Sequence, residues 1–221
     1  VIHFDAHADL RPDLWGDPLT HATILGRVAD KIGFQNLKQF GIRSGSREEW
    51  ELAQKHDTLR PFTKEAIAQH VESLGDRPIY LTLDLDVLDP SIYPGTGTPE
   101  PGGILWDTLV GGLKQLPGKR LVGMDCLELA PHYDPTGVSA LTMAKTIREL
   151  ILLADQRKRD EEIHHEGTKT TKATKPMWNF RGLRFFRVFV VSSIPARSPR
   201  GLFPCAWLRR GPGRHLQRAL P

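Results

Sequence analysis

Metal-binding side chains occupy every second position after the apolar run of residues 1–4, as Asp5, His7 and Asp9. Alternate residues of a β-strand face the same side, so these side chains converge if the strand stays extended to its last residue. Carboxylate oxygens combined with an imidazole nitrogen suit Mn, Zn, Fe or Ni, whereas Ca and Mg prefer oxygen alone. The alternative is a strand that simply ends in a polar turn.

A second apolar run, residues 79–83, ends in acids with the same spacing, Asp84 and Asp86. Two carboxylates on one face of a strand end repel each other, and a cation or several hydrogen-bond donors must offset that repulsion. Two acidic strand ends in one chain are explained most simply by a binuclear metal site. Asp89, followed by Pro90, is instead typical of a turn.

The elements that must position these residues are strands alternating with helices. Apolar strands of this kind, buried on both faces, indicate a mostly parallel sheet in a three-layer α/β/α architecture. Ligands of such sheets bind beyond the carboxyl ends of the strands, where Asp5–Asp9, Asp84–Asp86 and Glu128 all lie. Residues 89–103 are predicted to form a long, functional loop. The other predicted strands are residues 37–42 and 120–127, and the predicted helices are residues 21–32, 47–55, 63–74, 107–116 and 138–154.

These motifs resemble those of the ureohydrolases, the family of arginase, agmatinase and their relatives, and the bacterial agmatinases in particular. The resemblance covers residues 1 to about 153 in unbroken order. It implies an arginase-like fold with two Mn²⁺ ions per subunit. It also implies a homo-oligomeric assembly, either a trimer or a hexamer. The matching stretches are residues 5–11, 16–22, 41–43, 84–90, 94–103 and 123–131.

The activity implied by the resemblance is manganese-dependent hydrolysis of the guanidinium group of agmatine to putrescine and urea. Asp13 and Asp17 lie in the loop of residues 10–20, which contains no Asn or Ser. Their charge favours the ammonium end of agmatine over the carboxylate of arginine. Arginase, guanidinobutyrase or formimidoylglutamase activity remains an alternative. Two further alternatives are a non-catalytic remnant of a ureohydrolase and a deacetylase-like enzyme with a single zinc ion.

The metal ligands implied by the resemblance are all acids except for one histidine. Asp5 and Asp84 bridge the two ions, His7 and Asp86 complete one ion, and Asp9 belongs to the other. The family has a further histidine ligand upstream of the first strand. Because this chain begins after that point, we expect an N-terminally truncated domain that loses one ion and much of its activity.

The resemblance also assigns roles in catalysis and in substrate binding. Asp9 accepts the proton of the attacking water, and His21 shuttles protons to the outside. Glu128 holds the substrate guanidinium, since carboxylate–guanidinium pairing is bidentate and directional. His3 is predicted to be a core histidine with satisfied hydrogen bonds. Surface positions without a ligand role are predicted for His56, His70, His132, His164 and His165.

Charge divides the chain into two parts. Residues 156–221 hold 15 Lys and Arg against 4 Asp and Glu, a net charge of +11, whereas residues 1–155 hold 15 against 22, a net charge of −7. We therefore predict a ureohydrolase domain over residues 1–155 and a basic, disordered or non-native tail over residues 156–221. A translated out-of-frame or unspliced segment explains this tail better than a nucleic-acid- or membrane-binding arm. Neither nucleic acid nor membrane is therefore expected as a partner.

The compartment is predicted from the cysteines and from the hydropathy pattern. Cys126 and Cys205 are the two cysteines, too few and too poorly matched in environment for a disulfide framework, which suits a reducing, cytoplasmic location. No apolar run is long enough for a transmembrane helix. The opening of the chain shows no signal peptide.

Overall fold

The centre of the structure is a parallel β-sheet. The computed structural model describes residues 1–166 and 186–190 of the 221-residue chain. Its strands are β1 (Ile2–Phe4), β2 (Lys38–Phe40), β3 (Leu59–Arg60), β4 (Ile79–Asp84), β5 (Leu121–Leu129) and β6 (Phe186–Val190). They lie in the order β3-β2-β1-β4-β5-β6, and every neighbouring pair is parallel.

Helices connect most of these strands. The α-helices are α1 (Ile24–Ile32), α2 (Arg47–Lys55), α3 (Lys64–Ser73), α4 (Trp106–Leu113) and α5 (Val138–Glu166). Short 3₁₀ helices are formed by His21–Thr23, Phe34–Asn36, Leu85–Val87 and Pro131–Tyr133. Helix starts follow ordinary capping chemistry: the hydroxyls of Ser46 and Thr63 accept from the backbone N–H three residues later.

The helices cover both faces of the sheet. Residues of α3, α4 and α5 pack into one apolar cluster, which also contains Phe4 of β1 and Phe40 of β2. Residues of α1 and α2 pack into a second cluster with Leu37. Leu37 and Phe40 are three residues apart and belong to different clusters, as expected for opposite faces of an extended chain. The predicted three-layer α/β/α architecture is confirmed.

Aromatic packing fixes the end of β1, immediately before the first acidic motif. Phe4 is fully buried. The rings of Phe40 and Phe62 meet it edge-on, with centroids 5.6 and 4.7 Å away. Burial of such a side chain contributes about 1.5–3 kcal/mol, and the edge-on geometry adds orientation. The packing of Phe4 therefore fixes the position of the backbone immediately before Asp5.

The buried face of α1 agrees only in part with the one that its periodicity predicts. The sequence predicts Ile24, Leu25, Val28 and Ile32 as its buried side, but Ile24 is 39% and Ile32 is 36% exposed. Leu25 and Ala29 are the buried residues of this helix.

Two strands were not predicted, and one helix is longer than expected. β3 has two residues, too few for a recognisable period. α5 continues to Glu166, beyond its predicted end near residue 154, because residues 155–166 contain neither Gly nor Pro and include many strong helix formers. β6 lies within the predicted tail and pairs with β5. The rest of that tail prediction falls on residues 167–185 and 191–221, outside the described residues.

No helix in the described part of the chain combines the length and the apolar character needed to cross a membrane.

Candidate metal centre and substrate site

The predicted site residues lie at the carboxyl edge of the sheet. Asp5 directly follows β1, Asp84 is the last residue of β4, and Glu128 lies near the end of β5. β1 pairs directly with β4, and β4 with β5. Because the three strands are parallel neighbours, their ends bring the acidic motifs together, as the sequence predicts.

The convergence is not produced by extended strands, contrary to the expectation from period-two spacing. β1 ends at Phe4, and Asp9 has a positive φ of 54°, so the chain turns sharply within the first motif. Asp86 lies in the 3₁₀ helix Leu85–Val87 rather than on β4. The carboxylate of Asp84 accepts a hydrogen bond from the backbone N–H of Asp86 at 3.0 Å, which stabilises that turn.

Asp5, His7 and Asp86 form a compact group of possible metal ligands, whose donor atoms all lie within 4.8 Å of one another. Nδ1 of His7 is 3.0 Å from Oδ2 of Asp86 and 3.5 Å from Oδ1 of Asp5. Backbone N–H groups hold both acids: that of Ala6 donates to Asp86 at 3.2 Å, and that of His7 donates to Asp5 at 2.7 Å.

A second such group consists of His3, Asp5 and Asp9. Asp5 therefore belongs to both groups, as a residue shared by two ions would. His3 is buried, as predicted for a core histidine, but it also contacts a site residue: its Nε2 lies 2.7 Å from Oδ2 of Asp5. His3 lies two residues before Asp5, so the alternation of a strand places both side chains on the same face. That spacing is the sequence signal for the contact between His3 and Asp5.

The electrostatics of the group fit a divalent cation. Burial, followed by the charge of Asp5, raises the pKa of Asp9 well above its usual value. Burial and the neighbouring Asp86 and Asp5 do the same to the pKa of Asp84. Burial and Asp5 raise the pKa of Asp86 to about 6, although His7 opposes this effect. Such raised values indicate carboxylates whose mutual repulsion the described side chains do not fully offset, and a bound cation would do so.

His7 is the exception among these groups. Burial lowers the pKa of its imidazole, but hydrogen bonds to Asp5 and Asp86 outweigh burial and raise this pKa to about 10. Burial by itself would raise the pKa of Asp5. Its contacts with His3 and His7 outweigh burial and hold that pKa well below the usual value. A mixed set of carboxylate oxygens and one imidazole nitrogen suits Mn²⁺ or Zn²⁺ better than Mg²⁺.

His21 and Glu128 flank this group. His21 begins the 3₁₀ helix His21–Thr23, and partial burial, followed by the charges of His7 and Arg11, lowers its pKa. Glu128 has a positive φ of 61°, and burial raises the pKa of its carboxyl group. Oγ1 of Thr96 lies 3.4 Å from Oε2 of Glu128. The hydroxyl of Tyr93 donates to the backbone carbonyl of Glu128 at 3.0 Å, which supports the strained backbone.

The long loop of residues 89–103 crosses the site and contributes residues that the sequence motifs did not identify. Thr96 contacts Glu128, Oγ1 of Thr98 lies 3.3 Å from Oδ2 of Asp86, and Oε1 of Glu100 lies 3.8 Å from Nε2 of His7. Alternate loop residues thus meet three different site residues. The available signal was the length of the loop together with the spacing of these three side chains.

Asp89 closes the base of this loop. Its carboxylate accepts backbone hydrogen bonds from Ser91, Gly102 and Gly103 at 3.0, 2.9 and 3.1 Å. This geometry agrees with the turn predicted at Asp89 and accounts for the carboxylate without a metal.

Three of the other histidines lie beside aromatic rings, and none of the three belongs to either group of possible metal ligands. His56 stacks on Phe34 with centroids 4.2 Å apart, His70 lies 6.0 Å from Phe40, and His132 lies 4.1 Å from Tyr133. The side chains of His164 and His165 lie outside those that the structure describes.

Known proteins resemble this chain over the same region that carries the site. The sequence pattern of the arginase family matches residues 1–153. The chain belongs to the arginase family. It is 42% identical over 161 residues to the agmatinase of Bacillus subtilis (strain 168), an alignment that covers 69% of this chain and 54% of that protein.

Solved structures agree with this assignment. The proclavaminate amidino hydrolase from Streptomyces clavuligerus superposes with a TM-score of 0.64 at 30% identity, covering 71% of this chain and 56% of that one. The arginase from Medicago truncatula superposes with a TM-score of 0.55 at 32% identity, covering 67% and 49%. The chain thus spans about half the length of the relatives that it matches.

Proposed function

We propose that the protein hydrolyses the guanidinium group of agmatine to putrescine and urea at a binuclear manganese site. The observation that carries this proposal is the grouping of His7 with the carboxylates of Asp5 and Asp86 at the carboxyl edge of the sheet. The carboxylate of Asp84 lies outside that group, but the charges of Asp86 and Asp5 act on it. All three carboxylates are at most 9% exposed. The agmatinases among the relatives support the choice of reaction.

The metal ligands of the proposal are the five residues predicted from the sequence. Asp5 and Asp84 would be shared by two ions, His7 and Asp86 would complete one of them, and Asp9 would bind the other. Bound manganese would supply a water of lowered pKa as the nucleophile. The raised pKa values of Asp9 and Asp84 support this assignment, since a cation is what lets such buried carboxylates ionise.

Glu128 is the proposed partner of the substrate guanidinium. A carboxylate can accept two parallel N–H bonds from that group, which fixes the plane of the guanidinium. Burial raises the pKa of Glu128, and pairing with a cationic guanidinium would oppose this shift and favour the ionised form. Asp9 would accept the proton of the nucleophile, and His21, whose lowered pKa favours the neutral form, would exchange protons with solvent.

The negative charges of Asp13, Asp17 and Glu100 favour agmatine over arginine as the substrate. Asp13 and Asp17 each accept a backbone N–H of their own loop, at 2.9 and 2.8 Å, so their charges are held on the loop before His21. The carboxylate of Glu100 lies beside His7 and is 37% exposed. These negative charges attract the terminal ammonium of agmatine and repel the carboxylate of arginine. Cys126 is a buried free thiol, which suits the proposed cytoplasmic location.

The proposal is tested by metal content and by urea release from a substrate panel. In a protein that joins the family's upstream histidine segment to this chain, we expect two Mn²⁺ per subunit and faster release of urea from agmatine than from arginine, guanidinobutyrate or formiminoglutamate. Glu128→Gln should reduce kcat/KM for agmatine at least about 30-fold, because loss of a buried charge partner costs about 2–5 kcal/mol, and should retain manganese. Glu65→Gln, on the exposed side of α3, is the control. A single bound zinc, or urea release unaffected by Glu128→Gln, would contradict the proposal.

A homo-oligomer, either a trimer or a hexamer, is the proposed assembly. Sedimentation equilibrium of the full chain gives its mass, and a monomer at micromolar concentration would contradict it.

A further inference from the structure

A row of polar residues crosses one face of the sheet directly below the metal centre. Gln39 of β2, His3 of β1, Thr82 of β4 and Asp125 of β5 are in register with one another across the four strands. Gln39 and His3 are at most 1% exposed. Buried polar groups cost free energy unless their hydrogen bonds are satisfied, so the bonding of this row is informative.

The amide oxygen and the amide nitrogen of Gln39 are both hydrogen-bonded. Its amide Oε1 accepts from the hydroxyl of Thr58 at 2.9 Å. Its Nε2 lies 2.7 Å from the backbone carbonyl of Ala8 and 3.1 Å from Nδ1 of His3. The carbonyl of Ala8 can only accept, so the amide atom facing it must be the nitrogen. The orientation of the amide is thereby determined.

This orientation determines the tautomer of His3. Because Nε2 of Gln39 is a donor, Nδ1 of His3 must be the acceptor, and the single ring proton must lie on Nε2. That nitrogen is 2.7 Å from Oδ2 of Asp5. Thr58, Gln39 and His3 therefore form a directed chain of hydrogen bonds that ends on the one carboxylate common to both groups of possible metal ligands.

We infer that His3 is a positioning residue for Asp5, and that Gln39 and Thr58 fix the orientation and the tautomer of the His3 ring. The role rests on the proposed function, in which Asp5 binds both ions. Oδ2 of Asp5 accepts from His3, and Oδ1 accepts from the backbone N–H of His7. Each oxygen keeps a further lone pair for a cation. A neutral donor fixes the carboxylate without cancelling its charge, which a lysine or arginine at this place would do.

His3 also belongs to the group with Asp5 and Asp9, and a direct ligand role would require a different ring state. A metal ligand must offer an unprotonated nitrogen, whereas the bonding of Gln39 places the proton on the nitrogen that faces the acids. The two roles therefore predict different effects of substitution. Metal ligands are commonly oriented by partners of this kind, whose loss weakens metal binding by roughly 10- to 100-fold.

The test compares His3→Gln with His3→Asn in the full chain. The Nε2 of glutamine can take the place of the imidazole Nε2 and still donate to Asp5, whereas the shorter asparagine places its nitrogen near the Nδ1 position. Mn²⁺ affinity is measured by titration without substrate, and the unfolding midpoint of each variant is recorded. We expect His3→Asn to bind Mn²⁺ roughly 10- to 100-fold more weakly and His3→Gln to stay within about threefold of the parent chain.

A second pair of variants tests the far end of the chain of hydrogen bonds. Thr58 and Thr146 are both fully buried threonines, and the hydroxyl of Thr146 donates to the carbonyl of Thr142 at 2.9 Å within α5. Thr58→Val should weaken Mn²⁺ binding severalfold, whereas Thr146→Val should leave it unchanged at a comparable loss of stability. Equal affinities in this pair would overturn the role of Thr58.

The ring state is read separately from metal binding. Long-range ¹H–¹⁵N correlation spectra of the parent chain should show His3 protonated at Nε2, and a proton at Nδ1 would overturn the inference. Equal Mn²⁺ affinities of the parent chain and His3→Asn would also overturn it. If both His3 variants lose binding alike although they stay folded, His3 is a ligand rather than a positioning residue. Normal metal binding without urea release would instead contradict the proposed function alone.

Discussion

Arg43 donates two hydrogen bonds to the backbone carbonyl of Glu100, at 2.7 and 3.2 Å. The same guanidinium donates to the carbonyls of Asp86 and Val87, at 2.8 and 3.2 Å. It therefore ties the loop that crosses the site to the 3₁₀ helix that carries Asp86. The planar fork of an arginine spreads five N–H donors over a wide arc and can reach all of these carbonyls, whereas the ammonium of a lysine is a compact group with three donors.

Arg43→Lys should therefore lower the free energy of unfolding by about 2–3 kcal/mol, since several carbonyls lose a charged donor. Chemical denaturation measures this loss, and metal titration should show weaker Mn²⁺ binding as the turn with Asp86 loosens. Arg27→Lys is the matched control, because Arg27 also donates to two loop carbonyls, those of Pro12 and Pro18, but at an exposed position. A loss as large in Arg27→Lys would contradict the special role of Arg43.

The acids at the end of β4 should differ in their effect on metal binding. Asp84→Ala should abolish binding more completely than Asp86→Ala, because Asp84, unlike Asp86, is proposed to bind both ions. Asp89→Ala should keep the metal but destabilise the loop, since the carboxylate of Asp89 accepts three backbone hydrogen bonds. Elemental analysis of the three purified variants gives the comparison. Equal residual manganese in Asp84→Ala and Asp86→Ala would count against the bridging role.

Two glycines should respond to alanine with opposite signs. A Cβ at Gly103 would lie 2.4 Å from the backbone nitrogen of Asp89, so Gly103→Ala must shift the base of the loop and should cost about 1–3 kcal/mol. Gly111, in α4, has open space at its Cβ position. Gly111→Ala should raise stability by about 0.5–1 kcal/mol, because alanine loses less conformational freedom in a helix. Thermal or chemical unfolding distinguishes the two.

His70 should make stability depend on pH. Burial, followed by the charges of Lys38 and Arg60, lowers its pKa from 6.5 to about 4 in the folded chain. Between these two values the unfolded chain binds a proton that the folded chain does not, so stability falls as the pH falls from about 6.5 towards 4. His70→Gln lacks this contribution. The urea midpoint of the parent chain, relative to that of His70→Gln, should therefore drop between pH 7 and pH 4.5, and an unchanged difference would refute the shift.

The sequence alone determined the class of fold and the types of residue at the ends of its strands. Asp5, His7, Asp84, Asp86 and Glu128 were predicted at the carboxyl ends of parallel strands, and they lie there. Apolar runs of β4 and β5 predict buried strands because a buried strand needs apolar residues on both faces. The residue that follows such a run can be read directly from the sequence, because it is adjacent to the run in the chain.

The tertiary structure decided how these side chains meet. Period-two spacing suggested extended strand ends, but a positive φ at Asp9 and a 3₁₀ turn at Asp86 bring the groups together. Contacts between distant segments, such as Arg43 with the carbonyl of Glu100 or Thr58 with Gln39, leave no periodic signal in either segment. They arise only when segments 19 or more residues apart come together in the fold, because the partner of a hydrogen bond depends on position in space and not on position in the chain.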